Sequence, residues 1–147
     1  MPTPTAATMG KILTTVTIIN RVDQILASRQ VITPEEIRSL TLKNVLVDIR
    51  ATTLCLPPEA IAQLGLEILK EVDVTTAAGL KKAKIFPDAK ISLLGREGTF
   101  DCLERPGGSD ALLDVIPLES LGIEPDLQNQ KLKLLPTESQ DTYLTIL

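Results

Sequence analysis

Two acidic residues, Asp48 and Asp114, are the side chains whose positions best suit chemistry. Each follows a short apolar stretch, residues 45–47 and residues 111–113. A carboxylate at the end of a buried strand loses solvation free energy unless a hydrogen bond or an opposite charge compensates it. Burial and neighbouring charges also shift the pKa of such a group, which suits it for general acid or base catalysis. Arg50, two residues after Asp48, is a charge that could act in this way.

Several other kinds of site are excluded by composition. The chain has no histidine, which removes nucleophilic sites with a histidine base and most zinc and iron sites. Its two cysteines, Cys55 and Cys102, do not make a disulfide framework, and we interpret them as buried thiols in a reducing compartment. We therefore expect no metal and no organic cofactor.

Charge and aromatic content limit the partners. The net charge of −4 argues against nucleic acid and anionic membranes. The aromatic residues are Phe86, Phe100 and Tyr143, too few for stacking on bases. The chain shows neither a signal-peptide pattern nor an apolar run of the roughly 20 residues that a membrane span needs. We expect a soluble, cytoplasmic protein with a flexible tail over residues 1–9 and one domain over residues 10–147.

Short β-branched segments separated by turns predict an all-β protein. The predicted strands cover residues 11–20, a segment near 23–32, then 44–49, 72–76, 81–86, 90–94, 99–103, 111–115, 131–135 and 143–147. Two short helices are predicted, one opening at Pro57-Pro58 and one over residues 117–121, each closed by a glycine. The segment from Thr33 to Glu36 is typical of a helix start or turn. Many short strands with one or two short helices indicate a barrel-like fold.

The order of these motifs resembles that of the retropepsin-like (retroviral-type) aspartic proteases, particularly their small bacterial relatives. The family carries an apolar-apolar-Asp-Thr/Ser-Gly-Ala-Thr stretch, an apolar strand, Leu-Pro, a helix and Leu-Gly-Leu. Residues 45–66 read VLVDIRATTLCLPPEAIAQLGL. A hairpin with a small-residue tip follows, and later an apolar pair leads to a helix ending in Leu-Gly. The resemblance covers residues 14–135, most of the chain.

This resemblance implies a closed retropepsin-like barrel and a homodimer with a peptide or protein substrate in its cleft. Asp48 would be the catalytic aspartate, and Ile49, Arg50, Ala51 and Thr52 would complete the active-site loop. The flap would be formed by Thr76, Ala77, Ala78 and Gly79, while Leu113 and Asp114 would form a second loop behind the site. In the family, the aspartates of two subunits share a proton, so that one acts as base and the other as acid.

The chain departs from the family pattern where the chemistry would occur. Ile49 replaces the hydroxyl residue, Arg50 replaces the first glycine and Asp114 replaces the second. A guanidinium near Asp48 would hold the carboxylate ionised, so we expect an Arg50–Asp48 or an Arg50–Asp114 pair. Arg105, before Pro106, is a further candidate cation. We predict an inactive or strongly impaired aspartic endopeptidase, which leaves the assignment as an enzyme open.

Other interpretations remain open for the function of the protein and for the roles of individual residues. The protein could be a non-catalytic peptide-binding or assembly module, or Asp48 and Asp114 could form a carboxylate pair within one chain. Asp48 could instead be hydrogen-bonded within its own loop, and Arg50 could be a surface residue of a turn. Asp114 could be a helix N-cap, and residues 77–79 an ordinary hairpin tip.

Overall fold

The computed structural model describes residues 11–50, 53–105 and 110–136, and these residues are mostly β. The strands are β1 Ile12–Asn20, β2 Ser39–Val47, β3 Leu54–Leu56, β4 Lys70–Thr76, β5 Gly79–Leu93, β6 Arg96–Glu104, β7 Leu112–Leu113, β8 Ile123–Asp126 and β9 Lys131–Leu134. The helices are α1 Arg21–Ser28, α2 Pro58–Leu64 and α3 Val115–Ser120, with a 3-10 turn at Pro34–Glu36.

Seven strands form one sheet in the order β1-β2-β7-β3-β6-β5-β4. The first strand of this order, β1, also pairs with β5. The strands from β1 to β5 in the order therefore form a ring, and β4 lies outside it. Most neighbours are antiparallel, but β2 pairs with β7 and β3 pairs with β6 in parallel. Because parallel neighbours end at the same edge, these pairings decide which loops meet.

The core is aliphatic and lies inside this ring of strands. Alternate residues of β1, such as Val16 and Ile18, are buried, as period-two strands require. All three residues of β3 are buried, in keeping with a strand covered on both faces. The apolar sides of α2 and α3 add Ile61, Leu64 and Leu118 to the same cluster.

The predicted strand near residues 23–32 is wrong, because this segment forms α1. The side chain of Asn20 accepts a hydrogen bond from the backbone N–H of Asp23 at 3.0 Å and so caps the helix. The helix ends at Ser28 with Arg29 as its C-cap, and Gln30 follows with a positive φ of 62°. The described residues therefore contain three α-helices rather than one or two, although the two that were predicted, α2 and α3, are confirmed.

A buried side chain caps the end of each of these two helices. The amide of Asn20 donates to the carbonyl oxygen of Leu64 at the end of α2, at 2.8 Å. The guanidinium of Arg96 donates to the carbonyl oxygens of Leu121 and Gly122 after α3, at 2.9 and 2.6 Å. These bonds satisfy carbonyl groups that a helix end leaves without intrahelical partners, and they fix both helices to the sheet.

Two sequence-based predictions lie outside the described residues, the tail over residues 1–9 and the strand over residues 143–147, which contains Tyr143. The 3-10 turn at Pro34–Glu36 confirms the prediction for that segment, and Thr33 and Glu36 form a capping box there. None of the helices in the described ranges has the length and apolar character needed to cross a membrane.

Candidate functional site

The parallel pairing of β2 with β7 brings Asp48 and Asp114 to the same edge of the sheet. Val47 lies opposite Leu113 in this pairing, and each acid is the next residue of its chain segment. The backbone N–H of Asp48 donates to the carbonyl oxygen of Leu113 at 2.9 Å. Two loops that are more than sixty residues apart in sequence are thereby held side by side.

Asp48 forms an ion pair with Arg50, one of the two pairs that the sequence predicts. Nε of Arg50 lies 3.1 Å from Oδ1 of Asp48, and the backbone N–H of Arg50 donates to the same oxygen at 3.0 Å. The Arg50 side chain is 88% exposed, whereas that of Asp48 is 17% exposed. The guanidinium therefore lies over the carboxylate from the solvent side.

The charge state of Asp48 follows from this geometry. Partial burial would by itself raise the pKa of the carboxyl, but the side-chain and backbone hydrogen bonds from Arg50, together with the charges of Arg50 and Arg105, outweigh it, and the net shift of the pKa is downward. The same contact raises the pKa of Arg50. The arrangement satisfies both alternatives for these residues, since Asp48 is bonded within its own loop and Arg50 is a surface residue of a turn.

The rest of the predicted active-site loop is described only in part. Ile49 is 48% exposed and provides no hydroxyl group toward a second chain. Ala51 and Thr52 lie outside the described residues. Thr53, the next described hydroxyl, donates to the carbonyl oxygen of Asp101 at 3.4 Å, a long contact within the same chain.

Asp114 is fully buried at the end of β7. Its relative exposure is 0%, and neither carboxylate oxygen has a partner among the described residues. Burial raises the pKa of this carboxyl to about 6. It occupies the N-cap position of α3 without making a side-chain cap bond. Because no hydrogen bond joins it to Asp48 or Arg50, neither the Arg50–Asp114 pair nor the shared-proton pair within one chain is formed.

The predicted hairpin tip joins β4 to β5. Ala77 and Ala78 form a two-residue turn between Thr76 and Gly79. The Thr76 hydroxyl donates to the carbonyl oxygen of Gly79 at 2.8 Å and accepts from the N–H of Ala78 at 3.2 Å. Gly79 has a φ of +103°, a conformation that side chains disfavour, which explains the glycine here.

A cleft with a volume of about 530 Å³ lies between the Asp48 loop and this hairpin. One wall includes Arg50 and Thr53 from the loop, and the other consists of residues 73–76 of β4. Leu103, Arg105 and Leu112 also line it. A volume of this size lies in the range of ligand-binding pockets in general.

Cys55 also lines the cleft, a position that sequence reasoning did not assign to it. Its thiol is largely buried, and burial first, then the charge of Asp114, raises its pKa to about 11. Burial raises the pKa of the Cys102 thiol to about 12. Both thiols are free and buried, as predicted, and neither has the lowered pKa of a nucleophilic cysteine.

A second polar cluster, which sequence reasoning missed, joins α1 to the residues before β2. The Asp23 carboxylate accepts from Nε and Nη2 of Arg38 at 2.8 and 3.0 Å and from the backbone N–H of Arg38 at 3.0 Å. Its side chain is only 5% exposed. A sequence signal existed, since Asn20 followed by Asp23 is a helix-start pattern. Within residues 11–50, 53–105 and 110–136, no group of three or more potential metal ligands converges.

Comparisons with known proteins give a distant structural likeness. No family model matches the chain, and no curated protein sequence matches it either. A solved structure described as EIAV protease complexed with the inhibitor HBY-793 is similar to this chain with a TM-score of 0.48 and 19% identity. The likeness covers 74% of this chain and 86% of that one. At this level it does not assign a family.

Proposed function

We propose that the chain is a retropepsin-like aspartic endopeptidase fold with Asp48 at the catalytic position and with its proteolytic activity lost or strongly reduced. The order of motifs along residues 45–66 and 112–126 supports the family. The neighbouring ends of β2 and β7 and the cleft below the β4–β5 hairpin are consistent with it. The closed barrel of the family is part of the same proposal.

The observation that carries the proposal is the ion pair between Arg50 and Asp48. The usual reaction needs two aspartates that share one proton, so that one activates water and the other protonates the carbonyl oxygen. Two hydrogen bonds from Arg50 to Oδ1, at 3.0 and 3.1 Å, stabilise the ionised carboxylate. A carboxylate held in this way is kept ionised, and its Oδ1 is occupied by two donors, so it is poorly placed to carry the shared proton.

Ile49, the residue next to Asp48, weakens the site in a second way. In the family, a hydroxyl next to the aspartate ties the loops of two subunits together, and Ile49 cannot do this. In a homodimer, the pairing of two site loops would also bring two Arg50 guanidinium groups toward one axis. Each is balanced by its own Asp48, which reduces the repulsion without removing it.

A non-catalytic peptide-binding module is the second candidate, and the cleft favours it. The hairpin strand β4 pairs only with β5 among the described strands, so its other edge carries backbone groups that an extended peptide can pair with. Residues 73–76 of this strand line the cleft. Binding at this edge does not need a working pair of aspartates.

The direct test is proteolysis of a denatured protein mixture between pH 3.5 and 7, with the unaltered chain beside Asp48→Ala. We expect no cleavage above background by either protein. Cleavage by the unaltered chain that disappears in Asp48→Ala would show a working aspartic protease and contradict the impaired site. Mass spectrometry of the products would separate such cleavage from contaminating activity, because only the former depends on Asp48.

A further inference from the structure

The cleft beside Asp48 contains two guanidinium groups, those of Arg50 and Arg105. Arg50 is neutralised by Asp48 at 3.1 Å. The only described hydrogen bond of the Arg105 side chain goes to the backbone carbonyl oxygen of Asp110, at 3.0 Å. Among the described residues, no carboxylate lies within ion-pair distance of Arg105, so this guanidinium has no ion-pair partner among them.

The charge of Arg105 acts within the cleft. After burial and the hydrogen bonds from Arg50, the charge of Arg105 also contributes to the lowered pKa of Asp48. Burial and the charge of Asp114 raise the pKa of Cys55, and the charge of Arg105 opposes this rise. Arg105 and Cys55 both line the cleft, which agrees with these two effects.

The one acid on the opposite wall does not neutralise this charge. Asp73 of β4 is paired with Lys82 of β5 at 3.3 Å, and both side chains are largely exposed. The cleft therefore has a surplus of positive charge at Arg105, although the whole chain has a net charge of −4. The anchoring of Arg105 also limits its freedom, because its backbone N–H donates to the carbonyl oxygen of Leu56 at 2.9 Å.

We infer that the cleft takes an extended peptide with an acidic side chain, Asp or Glu, whose carboxylate binds the guanidinium of Arg105. The inference rests on the proposed peptide-binding cleft and adds its specificity. A guanidinium is a planar fork of donors that matches a carboxylate in two parallel hydrogen bonds. Apart from Arg50, Asp73 and Arg105, the lining is neutral, with Val74, Leu103 and Leu112 beside hydroxyls of Thr53 and Thr75. These residues suit apolar or small polar neighbours of the acidic residue.

The test uses three fluorescent peptides that differ only at a central Glu, Gln or Lys, flanked by Val, Ala and Thr. Fluorescence anisotropy measures their binding to the unaltered protein at low salt and at neutral pH. We expect the Glu peptide to bind about tenfold more tightly than the Gln peptide, with the Lys peptide weakest. Added salt should reduce the preference for Glu.

Variants then assign this preference to one residue. Arg105→Gln should bind the Glu and Gln peptides alike, Arg105→Lys should keep part of the preference, and Arg29→Gln, which removes an exposed guanidinium at the end of α1, should leave it unchanged. Equal binding of the Glu and Gln peptides to the unaltered protein would overturn the acidic specificity but not the peptide cleft. Failure of all three peptides to bind would overturn both.

Discussion

The guanidinium of Arg50 folds back onto the carboxylate of Asp48, with Nε 3.1 Å and the backbone nitrogen 3.0 Å from the same oxygen. The contact spans two residues, so the turn itself is sufficient to form it. Glycine at position 50 could make only the backbone bond. Compared with a glycine at this position, Arg50 therefore changes the protonation and the accessibility of the Asp48 carboxylate, without requiring any change in the strands that carry it.

Replacing Arg50 by glutamine should raise the pKa of Asp48. Burial by itself raises the pKa, and the hydrogen bonds and the charge of Arg50 are the main contributions that lower it. The pair is solvent-exposed on the arginine side, so the melting temperature should change by no more than about 3 °C. Titration of the Asp48 side-chain carboxyl carbon by NMR measures the pKa.

The matched control for that titration is Arg29→Gln, which removes a guanidinium from an exposed position outside the cleft. It should leave the Asp48 carboxyl unchanged. An unchanged or lower pKa in Arg50→Gln would show that the ion pair does not control Asp48, and the explanation of the impaired site would fail.

Asp114 should make the protein less stable as the pH rises from about 4 to about 6.5. Its pKa is about 6 in the folded chain against an ordinary value of 3.8, so over this interval the folded state retains a proton that the unfolded state releases. Ionisation then favours unfolding, by about 2 kcal/mol between pH 4.5 and 7.5. Above about pH 6.5 the effect is complete. Urea unfolding at several pH values measures it.

The variant Asp114→Asn removes the titrating group and should reduce this decline in stability over the same interval. Asp101→Asn, at an exposed position of β6, is the control and should show the same decline as the unaltered protein. If Asp114→Asn and the unaltered chain lose stability in parallel, Asp114 is not the buried neutral acid that the structure indicates.

The ion pair of the buried Asp23 with the half-exposed Arg38 should contribute more to stability than the surface pair of Asp73 and Lys82. Asp23→Asn leaves a buried site with weaker bonds to three donors of Arg38 and should cost about 2 kcal/mol of unfolding free energy. Asp73→Asn should change the stability little, since Asp73 and its partner Lys82 are both exposed. Equal losses in the two variants would contradict this ranking.

The response of a homodimer to salt is a separate prediction. If the chain forms the proposed homodimer, two Arg50 guanidinium groups lie near its axis, and salt should strengthen the dimer by screening them. Sedimentation at micromolar concentration, at low and high salt, measures the effect, and Arg50→Gln should bring the low-salt behaviour toward that at high salt. A tight dimer that does not respond to salt would contradict the repulsion.

Local sequence patterns account for much of the observed structure. Proline and glycine residues predicted the positions of α2 and α3. The apolar runs before Asp48 and Asp114 predicted strands where β2 ends and where β7 lies. The spacing of two residues made an Arg50–Asp48 contact foreseeable. The resemblance to a family placed Leu113 and Asp114 behind the site, but the pairing of β2 with β7 was not predicted, because residues 46 and 112 have no local signal that joins them.

The misses arose where a local pattern was ambiguous or where a contact was non-local. The apolar residues of the segment near 23–32 fit both a strand and a short helix, and the capping by Asn20 decided for the helix. Two predicted strands, over residues 81–86 and 90–94, proved to be parts of β5, which continues through an irregularity between Phe86 and Ala89. Pro87, which cannot donate a ladder hydrogen bond, lies within this irregularity. The Asp23–Arg38 pair joins segments whose proximity only the fold determines.

The most direct test of the proposed impaired site is whether introducing the residues of the retropepsin-like pattern produces proteolysis. The double variant Ile49→Thr with Arg50→Gly would be incubated with a denatured protein mixture between pH 3.5 and 7, beside the unaltered chain and a triple variant that also carries Asp48→Ala. We predict cleavage by the double variant alone. Cleavage by the unaltered chain as strong as that of the double variant, and dependent on Asp48, would contradict the account.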